Sequence, residues 1–305
     1  MKEIKNVYLI GLGAIGCIYS SRIYDNNKES LKIIADKKRI DRYSKDGFII
    51  NNKRYDFNYI SPEDKAEAAD LIIISVKFNN IKEAIASIKN FVSKDTIILS
   101  LLNGINSEEV IAETYNKNNI PYSICVGIDA VRDGNKVDYS KFGNLTFGDK
   151  DNSTYSNNVL AIKNYFDKSK VPYVIPSDML NSMWWKFMVN VGVNQASSIL
   201  KANYGVFQKS KEANALLHMI MNEVIEISKH VGANLNQSDI EKWDKILNSL
   251  SPNNKTSMLQ DIENKRFTEV DIFSGEIIKL GEKYKVSCPV NKMLYNMIKT
   301  IEQNY

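Results

Sequence analysis

Apolar runs too short to be membrane spans alternate with segments of helical period through the first half of the chain, and then the runs stop. Val7–Ile10, Leu31–Ala35, Leu71–Val76 and Thr96–Leu102 are nearly continuous apolar stretches, as expected of strands covered on both faces. Between them Ala14–Tyr24, Ile81–Phe91 and Ser107–Tyr115 carry apolar residues at helical spacing. This βαβα rhythm predicts a parallel sheet with helices on both sides. Ile120–Phe147 reads as strand-like and turn-rich, Asn157–Lys168 as a helix and Pro172–Ile175 as a last strand. Past Pro176 strand signals vanish. Ser177 and Asp178 can cap a long helix through Trp184–Ile199, followed by helices over Glu212–His230, Asp239–Leu250, Thr268–Tyr284 and Asn291–Ile301. The predicted fold is α/β: a Rossmann-type parallel-sheet domain over 1–176, then an all-α domain over 177–305 for substrate binding and pairing of two copies.

The remaining composition narrows the chemistry. At 305 residues the chain is long enough for two cores, and 44% hydrophobic with 25% charged residues is a globular balance. A net charge of +4 is too modest to call for nucleic acid, but it suits an anionic ligand. Cys17, Cys125 and Cys288 lie far apart in the sequence, which argues against a disulfide framework or a zinc site and for a reducing compartment. The only histidines, His218 and His230, stand away from the polar constellations described next. Proton chemistry therefore falls to lysine or carboxylates, with no metal. With no signal-like apolar segment at the start and no run near 20 apolar residues, the expectation is a cytoplasmic protein without a membrane partner.

Val7-Tyr8-Leu9-Ile10 runs into Gly11-Leu12-Gly13-Ala14-Ile15-Gly16, a strand, a G-x-G-x-x-G turn and a helix start. Gly11 permits the tight turn, Gly13 lets backbone approach a pyrophosphate, and Gly16 lets helix and strand pack closely. Free N–H groups at the helix start favour phosphate. Asp36 falls twenty residues beyond Gly16, where an acid holds the ribose of NAD, yet Lys37, Lys38 and Arg39 follow and suit the 2′-phosphate of NADP. A solvated helix start explains the basic run equally well. Lys77 and Asn103-Gly104 follow predicted strands, at the sheet edge where ligands bind.

Lys186, Asn190 and Asn194 stand at i, i+4 and i+8 in an otherwise apolar segment, so they share one helix face. Buried amides without partners cost about 1–3 kcal/mol each, so the stripe implies partners, either a ligand or a neighbouring helix. A partly desolvated Lys186 is suited to give up a proton near neutral pH. Ser257, within Ser257-Met258-Leu259-Gln260-Asp261, can bind a carboxylate or hydroxyl; Glu269 opens a predicted helix, where an acid is favoured with or without a catalytic role.

Together, and in this order, these segments resemble the ketopantoate reductase family over nearly the whole chain. The family pattern comprises the glycine turn, a lysine after the fourth strand (Lys77), an N-G after the fifth (Asn103-Gly104), K-x-x-x-N-x-x-x-N on the helix between domains (Lys186, Asn190, Asn194), S-M-x-Q-D (Ser257 to Asp261) and a following T-E (Thr268-Glu269). Many members carry proline after the second asparagine, where this chain has Gln195. The resemblance implies NADPH-dependent reduction of 2-dehydropantoate to (R)-pantoate on the route to pantothenate and coenzyme A, with NADH as the alternative cofactor. In that reading Lys186 gives the proton and Glu269 assists it. Asn190, Asn194 and Ser257 grip the substrate, Asn103 lies near both ligands, and Lys77 lies near the cofactor. The alternatives are a relative reducing another 2-keto acid and a nicotinamide-binding sensor without chemistry.

Overall fold

The computed structural model describes residues 3–305. The chain divides into two compact units, one ending at Met179 and one running Leu180–Tyr305. In chain order the first unit contains β1 (Val7–Ile10), α1 (Ala14–Asn26), β2 (Leu31–Ile34), α2 (Lys37–Asp46), β3 (Phe48–Ile50), β4 (Lys53–Tyr55), β5 (Tyr59–Ile60), β6 (Leu71–Ile74), α3 (Ile81–Ser87), β7 (Ile97–Ser100) and α4 (Ser107–Ala112). It continues with β8 (Tyr122–Val126), β9 (Asp129–Asp133), β10 (Lys136–Lys141), β11 (Asn144–Gly148), α5 (Asn157–Ser169) and β12 (Tyr173–Val174).

Five strands form a fully parallel sheet in the order β5-β2-β1-β6-β7. Period-2 alternation explains why its strands are apolar throughout. Val7, Leu9, Leu31, Ile33, Leu71, Ile73, Ile97 and Leu99 pack into one core with residues of α1 and α5. Tyr8, Ile10, Ile34, Ile72, Ile74 and Ile98 pack into the other with residues of α3. Both faces are buried, as the Rossmann-type reading requires. The strand order reverses at β1, so β1 and β6 flank a switch point where open α/β sheets take ligands.

Two smaller sheets complete the unit, β4-β3-β10-β9 and β12-β11-β8. The β3–β4 hairpin was not predicted, because only Phe48, Ile50 and Tyr55 of its six strand residues are buried. Its signal is the turn: Asn51 and Asn52 both take positive φ, at 45° and 64°, the geometry of a tight hairpin for which asparagine is tolerated.

Glu108 is buried on α4, where it accepts from Ser107 Oγ at 2.8 Å and from Ser123 N at 3.1 Å. Burial raises its pKa above the ordinary carboxylate value despite those donors. A group raised in this way supports the fold while protonated. That support is lost as pH climbs from the ordinary carboxylate range through the raised value. Relative to the wild type, Glu108→Gln is therefore expected to gain stability from acid to neutral pH. Thermal melts of both proteins across that range test this; a pH-independent difference would show that Glu108 does not titrate in the fold.

The second unit is helical: α6 (Met179–Leu200, which begins at the unit boundary), α7 (Tyr204–Lys209), α8 (Lys211–Val231), α9 (Gln237–Ser249), α10 (Ser257–Glu263), α11 (Ser274–Tyr284) and α12 (Pro289–Glu302). Helices α6 and α8 approach closely at Gly192, where a Cβ would lie 2.6 Å from Met221 Cε. Ser210 caps the start of α8 and Gly232, at φ 80°, closes its end. The helix predicted over Thr268–Tyr284 is in fact two pieces, a 3-10 turn at Val270–Ile272 and α11. Phe273, at φ −104° and ψ −94°, separates them. That break seats the Phe273 ring against Phe187 and lets the Ser274 hydroxyl reach Gln195.

Candidate active site

A cavity of about 250 Å³ opens at the carboxyl ends of β1, β2 and β6. Gly11, Gly13, Ala35, Asp36, Ser75 and Lys77 are among its walls. The three glycines of the turn have different reasons to be there. Gly11 takes φ 101°, and a Cβ would lie 2.3 Å from Ser75 O. At Gly16 a Cβ would lie 2.0 Å from Gly11 O. Strand and helix packing demand both. At Gly13 the nearest atom to a Cβ is Ser75 O at 4.0 Å, so nothing in the protein forbids a side chain. Gly13 is also the N-cap residue of α1, whose first turn has neither a side-chain cap nor an acid. The helix start thus keeps N–H groups available to an anion. A dinucleotide phosphate fits this cradle. Leu12 is buried, while Ala14 and Ile15 are half-buried in the core beside the turn.

Asp36 lines the cavity and caps α2, its Oδ1 accepting from Arg39 N at 2.8 Å. The Arg39 guanidinium sits 3.3 Å from Asp36 Oδ2 and 4.0 Å from Glu83 Oε1, and both Arg39 and Glu83 line the cavity. Lys37 is outside the lining, its ammonium 3.8 Å from Glu63. Lys77 is exposed at the cavity wall, whereas Asn103 is half-buried beyond β7 and not part of that wall. Arg132, on β9, does line the cavity. Sequence reasoning missed it, because a single arginine in a turn-rich strand region carries no local signal.

In the helical unit, Lys186 and Asn190 are half-buried on α6 and Asn194 is 5% exposed. Asn194 Oδ1 accepts from Ser257 Oγ and from Met258 N, each at 3.3 Å, and Asn194 Nδ2 donates to Asn190 Oδ1 at 3.3 Å. The start of α10 thus orients Asn194, which orients Asn190, and the amide nitrogen of Asn190 ends the relay. Lys186 stands one turn earlier on the same face. Three of the predicted residues, Asn190, Asn194 and Ser257, are therefore joined by hydrogen bonds. Glu269 is half-buried just after Thr268, whose N and Oγ1 both donate to Glu302 Oε1, at 2.7 and 2.6 Å.

Gln195 belongs to a different face. Fully buried, it donates to Val191 O and to Asn291 Oδ1 and accepts from Ser274 Oγ. Asn291 in turn donates its backbone N and Nδ2 to Glu223 Oε2, at 2.9 and 2.7 Å. Where many members carry proline, Gln195 thus bonds within the helical core and makes none of the hydrogen bonds that join Asn190, Asn194 and Ser257.

A parallel sheet reversing at a glycine turn, followed by a helical unit with a lysine–amide face, is the architecture of a Rossmann-type oxidoreductase. Two family descriptions match it almost end to end: "Ketopantoate reductase PanE/ApbA" over residues 7–152 and "Ketopantoate reductase PanE/ApbA C terminal" over residues 178–302. The chain belongs to the ketopantoate reductase family. It is 24% identical over 298 residues to a 2-dehydropantoate 2-reductase of Streptococcus pyogenes serotype M6, covering 96% of each chain. It is 27% identical over 307 residues to one of Pyrococcus horikoshii, covering 97% of each. Among solved structures, a D-mandelate dehydrogenase in ternary complex with NADH and anilino(oxo)acetate superposes with a TM-score of 0.88 at 22% identity, over 98% of this chain and 99% of that one. A dimeric ketopantoate reductase from Staphylococcus aureus superposes with a TM-score of 0.84 at 19% identity, again over 98% and 99%. Among the described residues no helix is long and apolar enough to cross a membrane.

Proposed function

We propose that the protein reduces 2-dehydropantoate to (R)-pantoate, with NADPH as the hydride source and the unit ending at Met179 as its binding unit. The observation that carries this reading is the oriented relay Ser257–Asn194–Asn190 with Lys186 on the same helix face. Amide and hydroxyl groups beside an ammonium form a donor-rich surface for an anion bearing a keto oxygen. Asn190, Asn194 and Ser257 hold the substrate's carboxylate and hydroxyl. Lys186 gives a proton to the keto oxygen, and its charge stabilises the alkoxide that develops there. Glu269 assists Lys186, held in place by the anchored Thr268. The bound nicotinamide supplies the hydride that reduces the keto carbon. Arg39 and Lys77 carry positive charge at the cavity wall, while Gly13 gives the phosphates close access to backbone. Asn103 lies toward the reacting end. Steady-state consumption of reduced nicotinamide, measured with 2-dehydropantoate against a panel of other 2-keto acids, tests the reading. Preference for another acid by kcat/KM would displace 2-dehydropantoate.

NADH is the second reading, and Asp36 with Glu83 favours it. Two carboxylates flank the one guanidinium that a 2′-phosphate would use, and like charge opposes that dianion. Asp36→Ser keeps a capping side chain for α2 while removing the charge. The ratio of kcat/KM for NADPH over NADH is expected to rise about tenfold in this variant, the equivalent of about 1.4 kcal/mol. An unchanged ratio would place the adenosine ribose away from Asp36.

A further inference from the structure

Arg132 is a half-buried guanidinium held by contacts that leave its charge unanswered. It stands on β9, in the second sheet, and reaches the glycine turn of the first. Its Nε donates to Gly134 O at 2.8 Å, and one Nη1–H donates to Leu12 O, between the first two glycines of the turn. Its Cζ lies 5.3 Å from the centre of the Phe48 ring. These contacts fix where the group points, and Arg132 lines the same cavity as Gly11 and Gly13. Both protein acceptors are neutral carbonyls. Among the described residues no carboxylate pairs with Arg132, whereas Arg39, in the same cavity, has two acids within 4.0 Å. A guanidinium carries five N–H donors, and two are used here. The others remain on a planar, pre-positioned fork of the kind that recognises phosphate oxygens.

We propose that Arg132 grips the pyrophosphate of the dinucleotide, clamping it against the start of α1 from the opposite side. The proposal rests on the reading that this cavity takes a nicotinamide dinucleotide. The hydrogen bond to Leu12 O decides which phosphate is meant. Leu12 belongs to the turn over which a pyrophosphate lies, whereas a 2′-phosphate belongs beside Asp36 and Arg39, after β2. The pyrophosphate is common to NADH and NADPH, so the assignment predicts a loss that does not discriminate between them.

The test is direct titration of reduced nicotinamide fluorescence with NADH and with NADPH, using the full chain and no substrate. Arg132→Met is expected to weaken both dinucleotides by a similar factor, about tenfold to a hundredfold, the range for losing a hydrogen bond to a charged group. Arg132→Lys retains the cation but cannot hold Leu12 O and Gly134 O together. It is expected to recover a large part of the loss. Melting temperatures of the three proteins separate weakened binding from a damaged turn. Unchanged binding in Arg132→Met overturns the proposal, as does a loss confined to NADPH. A lysine variant as weak as the methionine variant also overturns it, since the arginine would then act only by shaping the turn. If the wild-type protein binds neither dinucleotide, the cofactor reading fails and takes this proposal with it. Wild-type binding with an indifferent methionine variant removes the proposal alone.

Discussion

Lys186→Ala is expected to lower kcat for keto-acid reduction by at least about a hundredfold, the lower bound for losing a general acid. The size of the effect follows from α6 carrying no second cationic side chain. Neither histidine can take over: His218 is paired with Asp244 at 2.9 Å, and His230 stacks on Tyr284. The other side chains of the relay, Asn190, Asn194 and Ser257, do not supply protons near neutral pH. Cofactor titration should be unchanged in the variant, because no residue of the cavity in the first unit is altered. Single-turnover and steady-state rates measured beside that titration check the assignment. Turnover within a few-fold of the wild type would remove Lys186 from the proton path.

The second large effect separates two glycines three residues apart. In Gly16→Ala the new methyl carbon would fall 2.0 Å from Gly11 O, a backbone atom that cannot step aside. Overpacking of this kind costs about 3 kcal/mol or more, which lowers the melting temperature of a unit this size by about 6–12 °C. Gly13→Ala meets nothing nearer than 4.0 Å and keeps φ at −70°, a value alanine adopts freely. Its melting temperature should change little, since replacing an N-cap glycine costs only about 1 kcal/mol or less. Its dinucleotide affinity should fall about tenfold or more, because a methyl group then occupies the approach to the phosphates. Paired melts and titrations check both. A Gly13→Ala protein that binds like the wild type would mean that the turn is built for packing alone.

Much of this is legible in the sequence alone, and the reason is periodicity. Strands buried on both faces read as apolar runs, and the four long ones of the parallel sheet were found at Val7, Leu31, Leu71 and Ile97, with ends shifted by a residue or two. The stripe Lys186–Asn190–Asn194 was legible because three polar groups at helical spacing in an apolar segment require partners. Three other features were hidden for identifiable reasons. The hairpin Phe48–Tyr55 is half exposed, so its alternation is weak. The bend at Phe273 depends on Gln195 and Phe187, which are remote in sequence. Arg132 reaches Leu12 across 120 positions of chain, and no local pattern reports a contact of that range. Lys37 and Arg39 show the same limit on a smaller scale. Both lie in one basic run, yet Lys37 pairs with Glu63 outside the cavity while Arg39 stays at its wall between Asp36 and Glu83.

Helix α6 is committed on two faces at once. Asn194 is tied to the start of α10, and the adjacent Gln195 is tied to Ser274 and Asn291. Turning the helix about its axis to present other side chains would strand buried amides on both faces, so its rotational setting is locked before any ligand arrives. In this chain, then, what the face presents can change by exchange of the side chains it carries, because re-aiming the helix is closed.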